Sequence, residues 1–599
     1  MGMDVGTISI ILLLAMLALL AIGMPLGFAS AILAVAVLFM RFEPAVLTNP
    51  LLWGEGPLTR QFGSGPLAIL SKRIFDLMTD YVLISVPLFI FMAALLERSG
   101  IAEAMYSSLN IWLNRVRGGI AIVTSIMAVI MAAMSGIIGG EVVLLGLIAL
   151  PQMLRLGYNQ NLAIGTICAS GSLGTMIPPS IVLIIYGLIT ETSIKALFTA
   201  AFLPGFMLAS FIIIYIIIRT QMNPDQAPLP DPQPGDPTAT EKWALFGSFM
   251  GIIATGISTL AFVRVLFFTL TGQNAAVEGV DPIVYGTPDY IPWFGGAAAI
   301  FFGATMALGR ERMSIAWDMG KGLVAPIVVI GTVLGSIYMG ITGITEAAGM
   351  GVIAVFTIST LLSSGNEGTL TWRNIGLLFA GLAVIAVAAN FTGRLIGING
   401  TDFAVVIVGL SLILVCLRVK GIFDMVWDSL MRTLKSTGTI IWVTIGATAL
   451  AGAYTIAGGP TYVANLIVGA DLPTMGIILT MMVIFLFMGA FMDWVGIVLL
   501  VMPVFLPIVL RLPVEEIGVF GELNPRHVAI WFGVVFCMNM QVSFLSPPFG
   551  PAAFYLKSVA PAHISLTDIF RGFLPFIGIQ LLALSVLLIW PPIISVFLP

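Results

Sequence analysis

The chain has 599 residues, of which 59% are hydrophobic and 9% are charged, and its formal net charge is −4. Soluble proteins carry about 25% charged residues, so this composition excludes a soluble globular domain and predicts a polytopic membrane protein. Because lipid offers the backbone no hydrogen bonds, a chain that spans it must form helices or a closed barrel. Long apolar runs such as 10–20 and 577–590 favour helices, since barrel strands alternate over about ten residues.

The predicted spans fall into two halves that are separated by an insertion. We predict an N-terminal membrane half at 1–219, a proline-rich linker with an inserted helical hairpin at 220–310, and a C-terminal membrane half at 311–599. Arg310 and Arg312 follow the inserted hairpin, and the positive-inside rule places them in the cytoplasm.

Each half carries a Pro-Pro pair inside an apolar segment. Pro178-Pro179 is followed by Tyr186, and Pro547-Pro548 is followed by Tyr555, in both cases seven residues after the second proline. The apolar segments around these pairs are too short to span a bilayer alone, which needs about 20 residues. Paired broken helices in corresponding halves point to a transporter's binding site. The predicted fold is therefore an all-α polytopic membrane protein with two homologous, inverted repeats, re-entrant helical hairpins and broken helices.

The prolines also predict free backbone acceptors. A proline within a helix leaves the carbonyl four residues back without its partner, which affects the carbonyls of Gly174, Thr175, Ser543 and Phe544. A desolvated sodium ion suits such carbonyls together with nearby serine and threonine hydroxyls. The alternative is a plain kink that neighbouring helices repair.

Carboxylates within the apolar segments are functional candidates. Asp493 lies between two apolar runs and is the first candidate for a cation ligand. Glu141 is either a proton or cation site or a hydrogen-bonded structural acid, and Glu346 stands at a predicted helix start, where the helix dipole stabilises a carboxylate.

The sequence has no motif for other chemistry. It contains no nucleotide-binding loop and no catalytic triad, and its three cysteines have no partners at ligand spacing. We expect no enzyme activity, no organic cofactor, no transition metal and no nucleic-acid partner.

Several segments in register resemble the large membrane subunit of the TRAP (tripartite ATP-independent periplasmic) transporters, of the DctM type. The specific signal is the run from 135 to 205, and the second half adds 345–348, 489–493 and 546–548. The resemblance implies a sodium-coupled importer of an organic acid, commonly a carboxylate, that works by an elevator mechanism in the bacterial inner membrane. It also implies two partners, a periplasmic substrate-binding protein and a small four-helix membrane subunit. Because the pattern begins at residue 1, we expect the small subunit to be a separate chain.

The broken helices and the resemblance together predict two sets of site residues. The substrate candidates are Glu141, Pro179, Ser180, Pro548 and Gly550. The sodium candidates are Ser135, Gly171, Ser172, Gly174, Thr175, Pro178, Thr342, Thr345, Asp493, Ser543, Ser546 and Pro547.

The sequence departs from the family pattern near the first hairpin. Ile137-Ile138 replaces the usual pair of serines, and Glu141 follows as a charge that compensates for them. The alternative function is a sodium- or proton-coupled carboxylate carrier or antiporter that needs no binding protein.

Overall fold

The described part of the chain in this computed structural model is predominantly helical. The described residues are 2–49, 51, 66–136, 139–230, 238–271, 285–340, 342–366, 421–469, 472–489, 492, 494–548 and 550–598. Within them no strand occurs, and nine helical segments are long and apolar enough to cross a membrane. These features confirm the predicted all-α polytopic membrane protein.

The helices are numbered here in chain order. They are α1 Val5–Ala21, α2 Leu26–Phe42, α3 Pro44–Thr48, α4 Pro66–Met78, α5 Ser85–Arg98, α6 Ile101–Leu113, α7 Gly119–Ser135, α8 Gly140–Arg155, α9 Gln160–Gly171, α10 Ile181–Thr190, α11 Ile194–Met222, α12 Ala239–Thr271, α13 Ile291–Ala307, α14 Arg310–Gly320, α15 Val324–Tyr338, α16 Ile344–Asn366, α17 Ile422–Ala457, α18 Gly459–Val468, α19 Thr474–Gly489, α20 Trp494–Val509, α21 Val528–Leu545, α22 Pro551–Lys557 and α23 Leu566–Ile589. Short 3₁₀ turns include Tyr81–Ile84 and Ser172–Thr175.

Two sets of five helices correspond in order, α7 to α11 and α19 to α23. Their contacts are reciprocal, because α10 packs on α20 while α22 packs on α8, and α11 packs on α21 while α23 packs on α9. Outside them, α2 packs on α17 while α16 packs on α5. Reciprocal contacts of this kind are expected when two related halves pack about a pseudo-twofold axis. The opposite membrane orientation of the halves stays a prediction.

The first helix pair of each set forms a hairpin of short helices. Helices α7 and α8 pack together, and so do α19 and α20. With 17 and 16 residues, α7 and α8 are about 25 Å long, less than the roughly 30 Å of a hydrocarbon core. Gly136 (φ 60°) and Gly139 (φ 99°) flank the first tip in a backbone region that glycine adopts most readily.

The central helix α21 and the inserted hairpin differ in how much of their surface is buried. The segment Pro525–Leu545 includes α21, and 94% of its apolar 18-residue stretch is buried. The segment Thr240–Leu270 includes most of α12, and only 6% of its apolar stretch is buried. Helix α21 is therefore apolar on all sides because protein surrounds it. The inserted hairpin of α12 and α13 is apolar on all sides because lipid surrounds most of it.

Close packing and ion pairs hold α17 against its neighbours. A Cβ atom at Gly446 would overlap the carbonyl of Gly27 in α2, so the two backbones approach as closely as small residues permit. At the other end of α17, Arg98 pairs with Asp428 at 2.5 Å and Arg432 pairs with Glu97.

The glycine contact predicts a strong and position-specific effect on stability. Gly446→Leu should lower the free energy of unfolding by about 1–3 kcal/mol, because its side chain cannot fit against α2. The matched control is Gly438→Leu on the same helix, where a Cβ atom would meet nothing within 4 Å. Thermal unfolding in detergent measures both, and equal losses for the two variants would contradict this packing.

Candidate cation and substrate site

At the first broken helix, a side chain of the same segment forms hydrogen bonds with the interrupted backbone. Helix α9 ends at Gly171, the 3₁₀ turn Ser172–Thr175 follows, and the chain is extended at Ser180 before α10 begins. The Ser180 hydroxyl donates to the Thr175 carbonyl at 2.6 Å and accepts the Leu183 amide at 3.5 Å. The Thr175 carbonyl, expected to be free, is hydrogen-bonded because Ser180 folds back onto it.

The second broken helix shows a similar local repair. Helix α21 ends at Leu545, and Ser546 is extended. The Ser546 amide donates to the Ser543 carbonyl at 3.2 Å, and its hydroxyl donates to the Val542 carbonyl at 2.8 Å. The Ser543 carbonyl therefore also has a partner, again in contrast to the expectation from sequence.

The two Pro-Pro pairs differ in their surroundings although their sequences are similar. Pro178 and Pro179 are buried, whereas Pro547 and Pro548 are exposed. Gly550, which precedes α22, is buried again. The two halves are thus unequal in this conformation, with the second motif open to its surroundings and the first enclosed.

Side chains from the C-terminal half converge on the turn at 172–175. The Gln541 side chain of α21 donates from Nε2 to the Thr175 hydroxyl. The Gln580 side chain of α23 donates from Nε2 to the Ser172 hydroxyl at 3.2 Å. The structure therefore brings the two broken helices into direct contact.

Three buried oxygen atoms beside this turn have no hydrogen-bond partner among the described residues. They are Gln541 Oε1, Gln580 Oε1 and Glu141 Oε2. The other Glu141 oxygen accepts the Ser135 hydroxyl, and the carboxylate lies against Gly174, where a Cβ atom would be 2.8 Å from Oε1. Buried acceptors without partners are costly. Oxygen atoms are the ligands that hard cations take, so this set suits a cation.

A cavity of about 110 Å³ lies where the second hairpin meets the second broken helix. A Cβ atom at Gly489 would collide with Ser543, and the Tyr555 ring lies against Gly139 at the first hairpin tip. The cavity is thus close to both hairpins. It is lined by Gly489, Met492, Trp494, Met540, Ser543, Phe544, Pro551 and Tyr555.

The remaining sodium candidates do not all join this cluster. Thr345 donates to the Tyr81 carbonyl at 3.3 Å, and the Tyr81 hydroxyl donates to Glu346 at 3.1 Å, so the start of α16 is held against the turn before α5. The Thr342 hydroxyl is buried and has no hydrogen-bond partner among the described residues. Asp493 lies outside the described residues.

Sequence reasoning missed the amides of this site. Gln541, Gln580 and the fully buried Asn539, which donates to the Met482 carbonyl at 3.0 Å, each stand within an apolar helix. Polar side chains at membrane depth signal function, and a buried amide carries this signal as a carboxylate does. In the described part of the chain, no three His, Cys, Asp or Glu side chains cluster as a metal site would require.

The chain matches the model of a known protein family. The model of the family "Tripartite ATP-independent periplasmic transporter, DctM component" matches residues 13–398 and 391–594.

Three curated relatives illustrate the similarity. The chain is 32% identical over 197 residues to the C4-dicarboxylate TRAP transporter large permease protein DctM of Pseudomonas aeruginosa, covering 33% of this chain and 45% of the relative. It is 30% identical over 213 residues to the ectoine large permease protein TeaC of Halomonas elongata, covering 35% and 45%. It is 27% identical over 205 residues to the sialic acid large permease protein SiaM of Vibrio cholerae, covering 34% and 43%. The chain thus spans less than half the length of each of these relatives.

The contact between the two broken helices predicts energetic coupling. Thr175→Val and Gln541→Leu should destabilise the protein by less together than the sum of the two single effects. The difference should be about 0.5–1.5 kcal/mol, because Thr175→Val leaves the Gln541 amide buried without this acceptor, a cost that is absent once Gln541 is leucine.

Unfolding of the four proteins in detergent measures this coupling. Thr444→Val is the control, since among the described residues the Thr444 hydroxyl bonds within its own helix, to the Ile440 carbonyl at 2.7 Å. Its effect should add to that of Gln541→Leu within about 0.5 kcal/mol. Additivity of Thr175→Val with Gln541→Leu would show that the contact contributes nothing.

Proposed function

The chain belongs to the DctM component family of the tripartite ATP-independent periplasmic transporters, and we propose that it forms the membrane pathway that imports a small organic acid together with sodium ions. The observation that carries the proposal is the convergence of both halves on the turn at 172–175, with three buried oxygen atoms beside it. Both halves contribute to this site, and in the proposed mechanism they would move together relative to the rest of the protein.

Glu141 supplies the charge that attracts a cation to this site. Its carboxylate is 2% exposed and has one described hydrogen bond, from Ser135. A desolvated charge with so little compensation is costly, and a sodium ion between it and the amide oxygens of Gln541 and Gln580 would offset that cost. Backbone and hydroxyl oxygens at 171–175 complete the proposed ligand set.

The same carboxylate explains how transport would be coupled. An anionic substrate near a bare Glu141 meets a like charge at low dielectric, where repulsion is strong. A bound sodium ion cancels that charge, so the substrate binds stably only after the ion. The relatives named for C4-dicarboxylate, ectoine and sialic acid differ in substrate, and the proposal is therefore limited to the class of small organic acids.

We propose that the substrate contacts the cavity beside Ser543 and the residues of the two Pro-Pro motifs, namely Pro179, Ser180, Pro548 and Gly550. Ser180 already uses its hydroxyl as a helix cap, so its proposed contribution is to shape the site. Ser543, Ser546 and Pro547 would form a second cation position with Asp493.

In the proposed movement, one group of helices slides and the other group stays fixed. Helices α7 to α11 and α19 to α23 would slide as one body past α2, α5, α16 and α17. The side chain of Glu97 in α5 occupies the position of a Cβ atom at Gly140, at the first hairpin tip, and this contact would break in the opposite state. A small four-helix subunit would hold the fixed helices in the bacterial inner membrane, and a periplasmic binding protein would deliver the substrate.

Sodium dependence is the first test. In proteoliposomes containing the small subunit and supplied with the binding protein, uptake of a panel of carboxylates should collapse when Na⁺ is replaced by K⁺ at constant membrane potential. Full uptake without Na⁺ would contradict sodium coupling. If that uptake followed a proton gradient instead, it would assign Glu141 to proton coupling.

The carboxylates are the second test. Glu141→Gln keeps an acceptor for Ser135 but removes the charge, so sodium-coupled uptake should fall at least tenfold while the protein still folds. Asp493→Asn should do the same. Glu103→Gln, an exposed acid in α6, is the matched control and should transport normally. Unchanged sodium dependence in Glu141→Gln would limit Glu141 to a structural role.

A further inference from the structure

A second and larger cavity lies away from the broken helices, between the inserted hairpin and the first hairpin. Its volume is about 440 Å³, within the range of about 300–1,000 Å³ that small-molecule sites occupy. Helices α6, α7, α12 and α15 line it, and most of the lining side chains are apolar, including Ile126, Phe246, Met250, Ile327 and Ile330.

The ionisable residues that line this cavity, Arg115 and Lys242, are both cationic. They stand at one end of it, because Lys242 at the start of α12 donates to Asn114, next to Arg115, at 2.6 Å. Arg312 lies at the same end of α12, where it donates to the Ala244 carbonyl at 3.0 Å and to Ser248 at 3.1 Å. The positive-inside rule places this basic end on the cytoplasmic side.

From this basic end the cavity continues along α12 as an apolar channel. Lys242 and Met250 are eight residues apart, so the lining extends about 12 Å at 1.5 Å per residue. Trp112, which also lines the cavity, packs edge-on against Phe246 with ring centroids 5.4 Å apart. Its indole Nε1–H is buried without a hydrogen-bond partner among the described residues, and its ring adds to the apolar wall of the cavity.

We propose that this cavity binds one anionic phospholipid, with its phosphate between Arg115 and Lys242 and an acyl chain along α12. The cations match the phosphate, the apolar channel matches the chain, and the position places the site at the membrane interface. Basic pockets between spanning helices on the cytoplasmic side recognise anionic headgroups in this way. The lipid would fill the space between the inserted hairpin and helix α7 of the first hairpin, and the insertion would thus create the site.

Native mass spectrometry of the detergent-purified protein tests the site, with phosphatidylglycerol and phosphatidylcholine as probes. One phosphatidylglycerol should survive delipidation, and phosphatidylcholine should not replace it. The double variant Arg115→Ala/Lys242→Ala should weaken its retention at least tenfold, since each cation is worth about fivefold. Arg155→Ala, an exposed arginine of α8, is the charge control and should retain the lipid.

A second pair of variants tests the channel. Ile330→Trp should fill it and release the lipid, whereas Val263→Trp, at an exposed position of α12 outside the cavity, should not. Equal retention of both lipids, or retention unchanged by both Ile330→Trp and the double variant, would overturn the proposal.

Photo-crosslinking provides a readout that needs no variant. A phosphatidylglycerol with a diazirine on its acyl chain should label peptides containing Phe246, Met250 or Ile330. Labelling confined to other helices would overturn the site. If adding the small subunit to wild type abolished labelling at these residues, the cavity would be a protein interface and the proposal would also fail.

Discussion

The architecture depends on one constraint, that backbone polar groups interrupted at membrane depth must find partners inside the protein. The two broken helices meet it first locally, through Ser180 and Ser546. In addition, Gln541 and Gln580 of the C-terminal half donate to the side-chain hydroxyls of Thr175 and Ser172 in the turn at 172–175. The reciprocal packing of the two helix sets thus surrounds the first interruption with side chains from both halves.

The same constraint leaves buried side-chain oxygens without partners beside the turn at 172–175. Local repair uses the hydroxyls and some of the carbonyls, and the buried acceptors beside the turn that have no described partner include side-chain oxygens of Glu141, Gln541 and Gln580. A cation fits such a set, whereas further helix packing does not supply donors to it. The two Pro-Pro pairs also differ in exposure, since the first is buried and the second is exposed.

The inserted hairpin obeys a different rule. It packs on α6 and α14 at one end and is otherwise largely unburied, so its apolar surface is explained by lipid rather than by a core. Its basic end approaches Asn114 through Lys242. In its described residues, the hairpin adds a membrane-facing surface whose main contacts outside the hairpin are with α14 and α6.

The sequence by itself determined the helical membrane class, the two related halves and the positions of both interruptions. Composition, span length and proline chemistry act locally along the chain, which is why these features are readable without a structure. Tertiary structure decided which acceptors remain unpaired. The carbonyls of Thr175 and Ser543, which were predicted to be free, accept hydrogen bonds from neighbours in their own loops. The Thr345 hydroxyl donates to the Tyr81 carbonyl. Gln541 and Gln580 joined the site although each is hundreds of residues from the turn it contacts. A hydrogen bond depends on which atoms lie close together in space, and the periodicity of the sequence does not specify which distant residues do so.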